Sequence, residues 1–319
     1  MKKRLWFIAP LLTAALLLAA CGGGGAGGGS ESGGQGGGKK QVTVGLALST
    51  LNNPYFVTLR DGAQKAADAA GVKLIVADAG NDLSKQTSQI EDFITQKVDV
   101  IVVNPVDSDG IVPAVQKAND AHIPVIAVDR GVNGGKVATT IASDNVEAGK
   151  MAAEALFKAL GGSGKVAELE GVPGASATRD RGKGFDQAVQ ANSGIQVVAK
   201  QTANFDRSQG LSVMENILQA NPDLNGVFAE NDEMALGALQ AIKNAGKAVK
   251  VVGIDGTDDA LKAIKAGDMV ATVAQQPEWM GKTAVEDAVK LAQGGSIDQA
   301  FTAAPLTLID ASNVDQYLK

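Results

Sequence analysis

Cysteine and histidine are almost missing: the 319 residues contain one of each. A structural zinc site needs about four such ligands, so a zinc finger is excluded. A Cys–His nucleophilic pair would have to join Cys21, in the leader segment, to His122. His122 stands in Ala121-His-Ile-Pro124, between a helix pattern and a strand, and reads as a surface or loop-packing residue. With no other cysteine, the fold relies on no disulfide. Aromatics are also scarce, at 4%, so adjacent ones stand out. No block of lysine and arginine occurs, and the net charge is −6 with both signs mixed along the chain. Nothing is present to neutralise a run of phosphates, which argues against nucleic acid as a partner.

What is present begins with an address. Lys2, Lys3 and Arg4 precede an apolar run, Leu5 to Ala20, shorter than the ~18–20 residues of a membrane-spanning helix. The run ends in Leu18-Ala19-Ala20-Cys21, which resembles a bacterial lipobox. That resemblance implies a signal peptide over 1–20, cleavage before Cys21 and lipid attached to its sulfur. Residues 22–40 are almost wholly glycine, serine and polar side chains. They cannot form a core and read as a flexible tether spanning ~25 Å.

The body is organised around Ser49-Thr-Leu-Asn-Asn-Pro-Tyr-Phe56. An apolar run from Val42 to Leu48 leads in, as a buried strand would. A helical pattern leads out through Leu59, Ala63, Ala66, Ala67 and Ala70. Asn53 fits the N-cap and Pro54 the first helical turn. The stretch therefore sits at the carboxyl end of a strand, the edge where open α/β sheets bind ligands. Tyr55 and Phe56 beside two amides and a hydroxyl suit a ligand with apolar C–H faces and a polar rim, such as a sugar.

Strands and helices then alternate. Strands are predicted at Lys73–Asp78, Val98–Val103, Pro124–Val128 and Thr139–Ala142. The pattern restarts with strands at Lys165–Leu169, Ile195–Ala199, Gly226–Ala229, Val249–Gly253 and Val270–Gln275. Helices fall between, including Val146–Leu160, Arg179–Val189 and one from Pro277 to about Leu291; Leu306–Ile309 is a short extended piece. This is an α/β fold of two similar lobes with parallel sheets. The strand ends echo each other, Asn104 with Asn231 and Asp129 with Asp255.

An ordered set of motifs, Ser49–Phe56, Asn104-Pro-Val-Asp-Ser-Asp109, Val128-Asp-Arg130, Ile141-Ala-Ser-Asp-Asn145, Asn204-Phe-Asp-Arg207, Asn231-Asp-Glu-Met-Ala-Leu-Gly237 and Gly253-Ile-Asp-Gly-Thr257, resembles the bacterial ribose-binding proteins. These are type I periplasmic binding proteins of ABC sugar importers. The resemblance implies two Rossmann-like lobes joined by a three-segment hinge, one of 41–143 plus 277–305 and one of 144–276 plus 306–319. It carries the sugar pocket onto Ser49, Asn53, Tyr55, Phe56, Asn104, Asp129, Arg130, Arg181, Phe205, Asn231, Ile254, Asp255 and Gln275. The family commonly has phenylalanine where Tyr55 and Ile254 stand. Phe56 and Phe205 are expected to sandwich the sugar ring. Asp129 and Asp255 are expected to accept from hydroxyls, Arg130 and Arg181 to donate, and the four amides to do both.

The implied partners are a monosaccharide, D-ribose first, and the importer's permease with its cytoplasmic ATPase. Membrane lipid is the third, through Cys21. A monomer outside the cytoplasm is expected, with no cofactor and no enzymatic activity. Allose, galactose, xylose, a furanosyl compound, or a role as sugar sensor for a chemoreceptor are the alternatives. Two rivals fail on particular residues. A phosphatase loop of the Asp-x-Asp-Gly-Thr kind would need a nucleophilic Asp where Gly253 stands. A phosphate loop at Gly161-Gly-Ser-Gly-Lys165 lacks the following Ser/Thr and has Ala159 at the required earlier glycine. A repressor would need a DNA-reading helix-turn-helix where the leader and tether lie.

Overall fold

The computed structural model describes residues 41–318. The leader, the tether and Cys21 lie outside the described residues.

The chain folds into two α/β lobes. The first half runs β1 (Thr43–Leu48), α1 (Pro54–Ala70), β2 (Lys73–Asp78), α2 (Leu83–Thr95), β3 (Val100–Val103), α3 (Val112–Asp120), β4 (Val125–Val128) and β5 (Thr139–Ser143). The second runs α4 (Asn145–Ala159), β6 (Gly164–Glu170), α5 (Ser176–Gln190), β7 (Ile195–Thr202), α6 (Arg207–Ala220), β8 (Gly226–Ala229), α7 (Asp232–Asn244), β9 (Lys250–Asp255), α8 (Asp258–Lys265) and β10 (Ala271–Ala274). The last elements are α9 (Pro277–Ala292), β11 (Phe301–Ala304) and β12 (Thr307–Asp310).

The strands form two six-stranded sheets, ordered β2-β1-β3-β4-β5-β11 and β7-β6-β8-β9-β10-β12. Read from β2 and β7, the two orders are the same. Each sheet reverses direction of winding at its first strand (β1 or β6), which opens the crevice where ligands bind in such sheets. The chain crosses between sheets three times, after β5, after β10 and after β11. All pairings are parallel except β10 with β12. Only Pro305 and Leu306 link β11 to β12, and no helix intervenes to turn the chain round, so β12 enters the second sheet against β10.

Both faces of each sheet are covered. In the first lobe Leu46, Val102, Ile126 and Ile141 pack with Leu59 of α1 and Val285 of α9, while Ile101 and Val103 pack with Phe93 of α2 and Val115 of α3. In the second, Phe228, Val252 and Ile254 pack with Leu156 of α4 and Phe185 of α5, opposite a cluster joining α6, α7 and α8. This double cover is why the strands read as continuous apolar runs rather than alternating ones.

Three helix pairs meet through reciprocal glycines. A Cβ at Gly149 of α4 would lie 2.1 Å from the Arg181 carbonyl oxygen of α5, and one at Gly184 of α5 would lie 2.0 Å from that of Val146. Gly62 with Gly281 does the same for α1 and α9, and Gly210 with Gly237 for α6 and α7. No side chain fits at these crossings, so backbone rests on backbone.

Several elements differ from the sequence expectation. Helix α5 begins at Ser176, β7 continues to Thr202, and β9 continues through Ile254 and Asp255. Helix α8 and strand β11 carried no prediction. The first buries only Ala260, Leu261 and Ile264. The second is an edge strand whose largest side chain, Phe301, is 49% exposed. Neither offers the apolar run that marked the others.

Candidate functional site

The carboxyl ends of both sheets face one another across a small cavity. Its lining is Asn53, Tyr55, Phe56, Asp129 and Arg130 from the first lobe, and Ala177, Arg181, Phe205, Asn231, Asp255 and Gln275 from the second, around a space of only ≈20 Å³. That is room for about one water, so the two sides are drawn together over the site.

Each lining residue is placed by a local rule of the chain. Asn53 caps α1, its Oδ1 accepting from the Tyr55 N–H at 2.9 Å. Asn231 caps α7 in the same way, accepting from the Met234 N–H at 3.0 Å. Each bond takes one of the two acceptor sites of the amide oxygen for a helix, and the Asn231 Nδ2 also donates to the Phe205 carbonyl at 3.4 Å. Asp129 follows β4 at φ 64°, Asp255 ends β9 at φ 140°, and Phe205 precedes α6 at φ 58°. Such backbone costs on the order of 1–3 kcal/mol per residue and gathers at functional sites. The loop after Asp255 is pinned by buried Asp232, which accepts from the Thr257 N–H at 2.8 Å and from the Thr272 hydroxyl at 2.7 Å. The Phe205 ring lies on Gly171, where a Cβ would sit 2.0 Å from it.

The charges are held deliberately. Tyr55 donates its hydroxyl to Asp129 at 2.8 Å. Burial, and then the charges of Asp129 and Asp255, raise the Tyr55 phenol well above its ordinary value, so it stays a donor. The Arg130 guanidinium lies 5.3 Å from the Phe56 ring centre and 5.4 Å from that of Phe205, spanning the two lobes. Burial lowers its pKa and Asp129 beside it opposes the shift. Arg181 donates to Asn145 at 2.9 Å and to the Glu230 carbonyl at 2.6 Å. Asp255, pushed well up by burial against the pull of Arg181, accepts from Gln275 at 2.8 Å. The lining thus pairs two carboxyls with two guanidiniums, acceptors and donors for a ligand rimmed with hydroxyls. Arg130 Nε and Gln275 Oε1 are buried without a hydrogen-bond partner. One is a donor and the other an acceptor, and a hydroxyl can serve either.

Ser49, Asn104 and Ile254 do not line the cavity. Asn104 accepts from the Ser49 hydroxyl at 2.6 Å and donates to Asp129 at 3.1 Å. Both therefore stand behind Asp129 and orient it. Gln86 extends this layer, donating to the Asn104 carbonyl at 2.8 Å. Ile254 is fully buried in the apolar core under α4 and α5, because it alternates with Asp255 along β9.

The sequence echo of Asn104 with Asn231 is also displaced by one residue. The Asn104 N–H donates to the Ala47 carbonyl of β1, and the Glu230 N–H to the Leu169 carbonyl of β6. The Asn104 side chain accepts from the Ser49 N–H, and that of Glu230 from the Gly171 N–H at 2.8 Å. Glu230 is thus the counterpart of Asn104. Counting residues from the ends of β3 and β8 would have found it. Ala177 gave no such signal, since an alanine in a first helical turn is chemically silent.

The lobes also touch beside the cavity. The Ser108 N–H donates to the Gly174 carbonyl at 2.9 Å, the Ser176 N–H to the Ser108 hydroxyl at 3.1 Å, and the Gly131 N–H to the Ser176 hydroxyl at 2.9 Å. Among the described residues no group of three or more His, Cys, Asp or Glu could hold a metal ion, and no helix is long and apolar enough to cross a membrane.

Comparison with known proteins agrees with this architecture. Residues 44–296 match the family model "Periplasmic binding protein domain". The ribose import binding protein of Bacillus subtilis is 54% identical over 270 residues, 85% of this chain and 88% of that protein. A periplasmic solute-binding protein from Actinobacillus succinogenes, solved with D-allose, superposes with a TM-score of 0.81 at 35% identity, covering 87% of this chain and 100% of the other. One from Bacillus halodurans, solved with myo-inositol, gives 0.83 at 36%, covering 87% and 97%. On the match across most of its length, the chain belongs to the periplasmic binding protein family.

Proposed function

We propose that this protein takes D-ribose between its two lobes, closes on it and presents it to the permease of an ABC importer, and that the thirteen residues named above build and support the pocket. As a periplasmic binding protein the chain binds a substrate and is not an enzyme. The observation that carries the reading is the cavity lined by three aromatic rings together with carboxyls, guanidiniums and amides, with Arg130 Nε and Gln275 Oε1 buried among them without a hydrogen-bond partner. Phe56 and Phe205 supply the apolar walls and burial of C–H surface against them contributes roughly 25 cal/mol per Å². Asp129, Asp255, Arg130, Arg181 and the amides meet the hydroxyl rim. The 54% identity to a ribose import binding protein supports ribose among the sugars. Tyr55 fits as well, since its hydroxyl is spent on Asp129. Leu18-Ala19-Ala20-Cys21 supports a lipid anchor that keeps a monomeric body outside the cytoplasm, near its permease.

A thermal-shift screen of pentoses, hexoses and furanosyl compounds tests the ligand. At a hundred times Kd a ligand stabilises by ~2.7 kcal/mol, which for a body of this size is about 5–10 °C. Ribose is expected to give the largest shift. A larger one from allose, galactose or xylose would replace ribose, and none from any sugar would remove the sugar reading.

A further inference from the structure

Behind the second-lobe half of the cavity lie two carboxyls that the pocket itself does not use. Glu168 of β6 and Glu230 after β8 are both fully buried. Their Oε1 atoms have no hydrogen-bond partner. Both converge on Gly182 of α5, whose Cβ, if it had one, would lie 3.4 Å from the first and 3.5 Å from the second. Glu230 meanwhile holds the site from two sides: its Oε2 accepts from the Gly171 N–H, under the Phe205 ring, and its carbonyl accepts from Arg181.

We propose that Glu230 is a positioning residue for the second-lobe half of the ribose site, and that it acts as a carboxylic acid, one proton being shared between it and Glu168. The inference rests on the ribose reading for its ligand. Two carboxylates side by side in a core cannot both ionise without large cost, and a single proton satisfies both stranded oxygens. The facing charges assign the ionised partner. Lys200 of β7 reaches Glu168 Oε2 at 2.7 Å and Asp186 of α5 at 2.6 Å. Glu170 of β6 adds negative charge near both carboxyls and Arg181 adds positive charge near Glu230. Glu168 therefore carries the charge, and Glu230 keeps the proton. Loss of that proton to solvent would drive the carboxyls apart and shift Gly171 and Arg181 together.

Burial raises both groups, Glu168 to about 7 even with Lys200 beside it, and Glu230 well above its ordinary value. A carboxyl whose folded value is raised favours the folded state at low pH, and that contribution is lost as pH rises through the folded value. The test follows the melting temperature of the sugar-free protein from pH 5.5 to 9, and calorimetric ribose affinity at pH 6 and 9. Three proteins are compared: the parent, Glu230→Gln and Glu230→Ala. In the parent the melting temperature falls from the low end of this range, as pH rises through the Glu168 value of about 7, and Kd rises about fivefold or more from pH 6 to pH 9. Glutamine still accepts from Gly171 and donates to Glu168 without titrating, so both slopes flatten. Alanine lets the Gly171 loop go, and Kd rises about tenfold at both pH values. Equal slopes in the parent and Glu230→Gln, or parental affinity in Glu230→Ala, would overturn the proposal. If no form binds ribose, the ribose reading fails, while the melting slopes still decide the carboxyl pair.

Discussion

Asp129→Ala weakens sugar binding about a hundredfold or more and leaves the protein folded. Asp129 gathers three groups: the Tyr55 hydroxyl, the Asn104 Nδ2 and the neighbouring Arg130 guanidinium, whose Nε lies 3.7 Å from it. Arg130 is 3% exposed, so removal of the carboxylate leaves a buried cation without its counter-charge. Truncating one partner of such a pair costs about 2–5 kcal/mol, and each 1.4 kcal/mol is a factor of ten in affinity. Folding survives because residue 129 stands at the rim of the sheet, after the last residue of β4. Calorimetry with circular dichroism separates the two effects. Unchanged affinity in a folded variant would remove Asp129 from the site.

The second large effect lies outside the cavity. Gly149→Val should lower the melting temperature by about 5 °C or more and weaken binding with it. The added side chain falls on the backbone of Arg181 itself, 2.1 Å from its carbonyl oxygen at the first carbon. Helices α4 and α5 must then separate. Because Arg181 gets its direction from Asn145 on α4 and from the Glu230 carbonyl, that separation pulls its guanidinium out of register with Asp255. A melting curve and a titration on the same sample check both parts. A parental melting temperature would show that the close crossing is not needed.

The sequence discloses chain-local features and conceals those that depend on facing. Asn53 and Pro54 announced a helix start because capping is a rule about neighbours in sequence. The two-lobe α/β architecture showed in the apolar runs that mark most of its strands. Asp129 and Asp255 stood out as strand ends. What remained hidden is set by single-residue alternation at those ends. Ile254 and Asp255 are adjacent, yet one packs in the core and the other lines the cavity. Asn104 and Glu230, one residue off the apparent echo with Asn231, each directly follow a strand, and their hydrogen bonds to β1 and β6 make the equivalence plain. The glycine crossings were equally silent, since a glycine in a helix declares nothing about the backbone it will meet. Strand β11 escaped because it buries too little to leave a pattern, whereas short helix α8 carries an amphipathic one in Ala260, Leu261 and Ile264, legible but unpredicted.

The central claim is that two separate lobes close on a sugar. The distance between Thr58 on α1 and Asp258 at the start of α8, both exposed at the mouth of the cleft, reads it directly. Spin labels at cysteines placed there, with the native Cys21 replaced by serine, report that distance with and without ribose. The account predicts one short, narrow separation with saturating ribose and a longer or broader one without it. Identical distributions in the two conditions would contradict it.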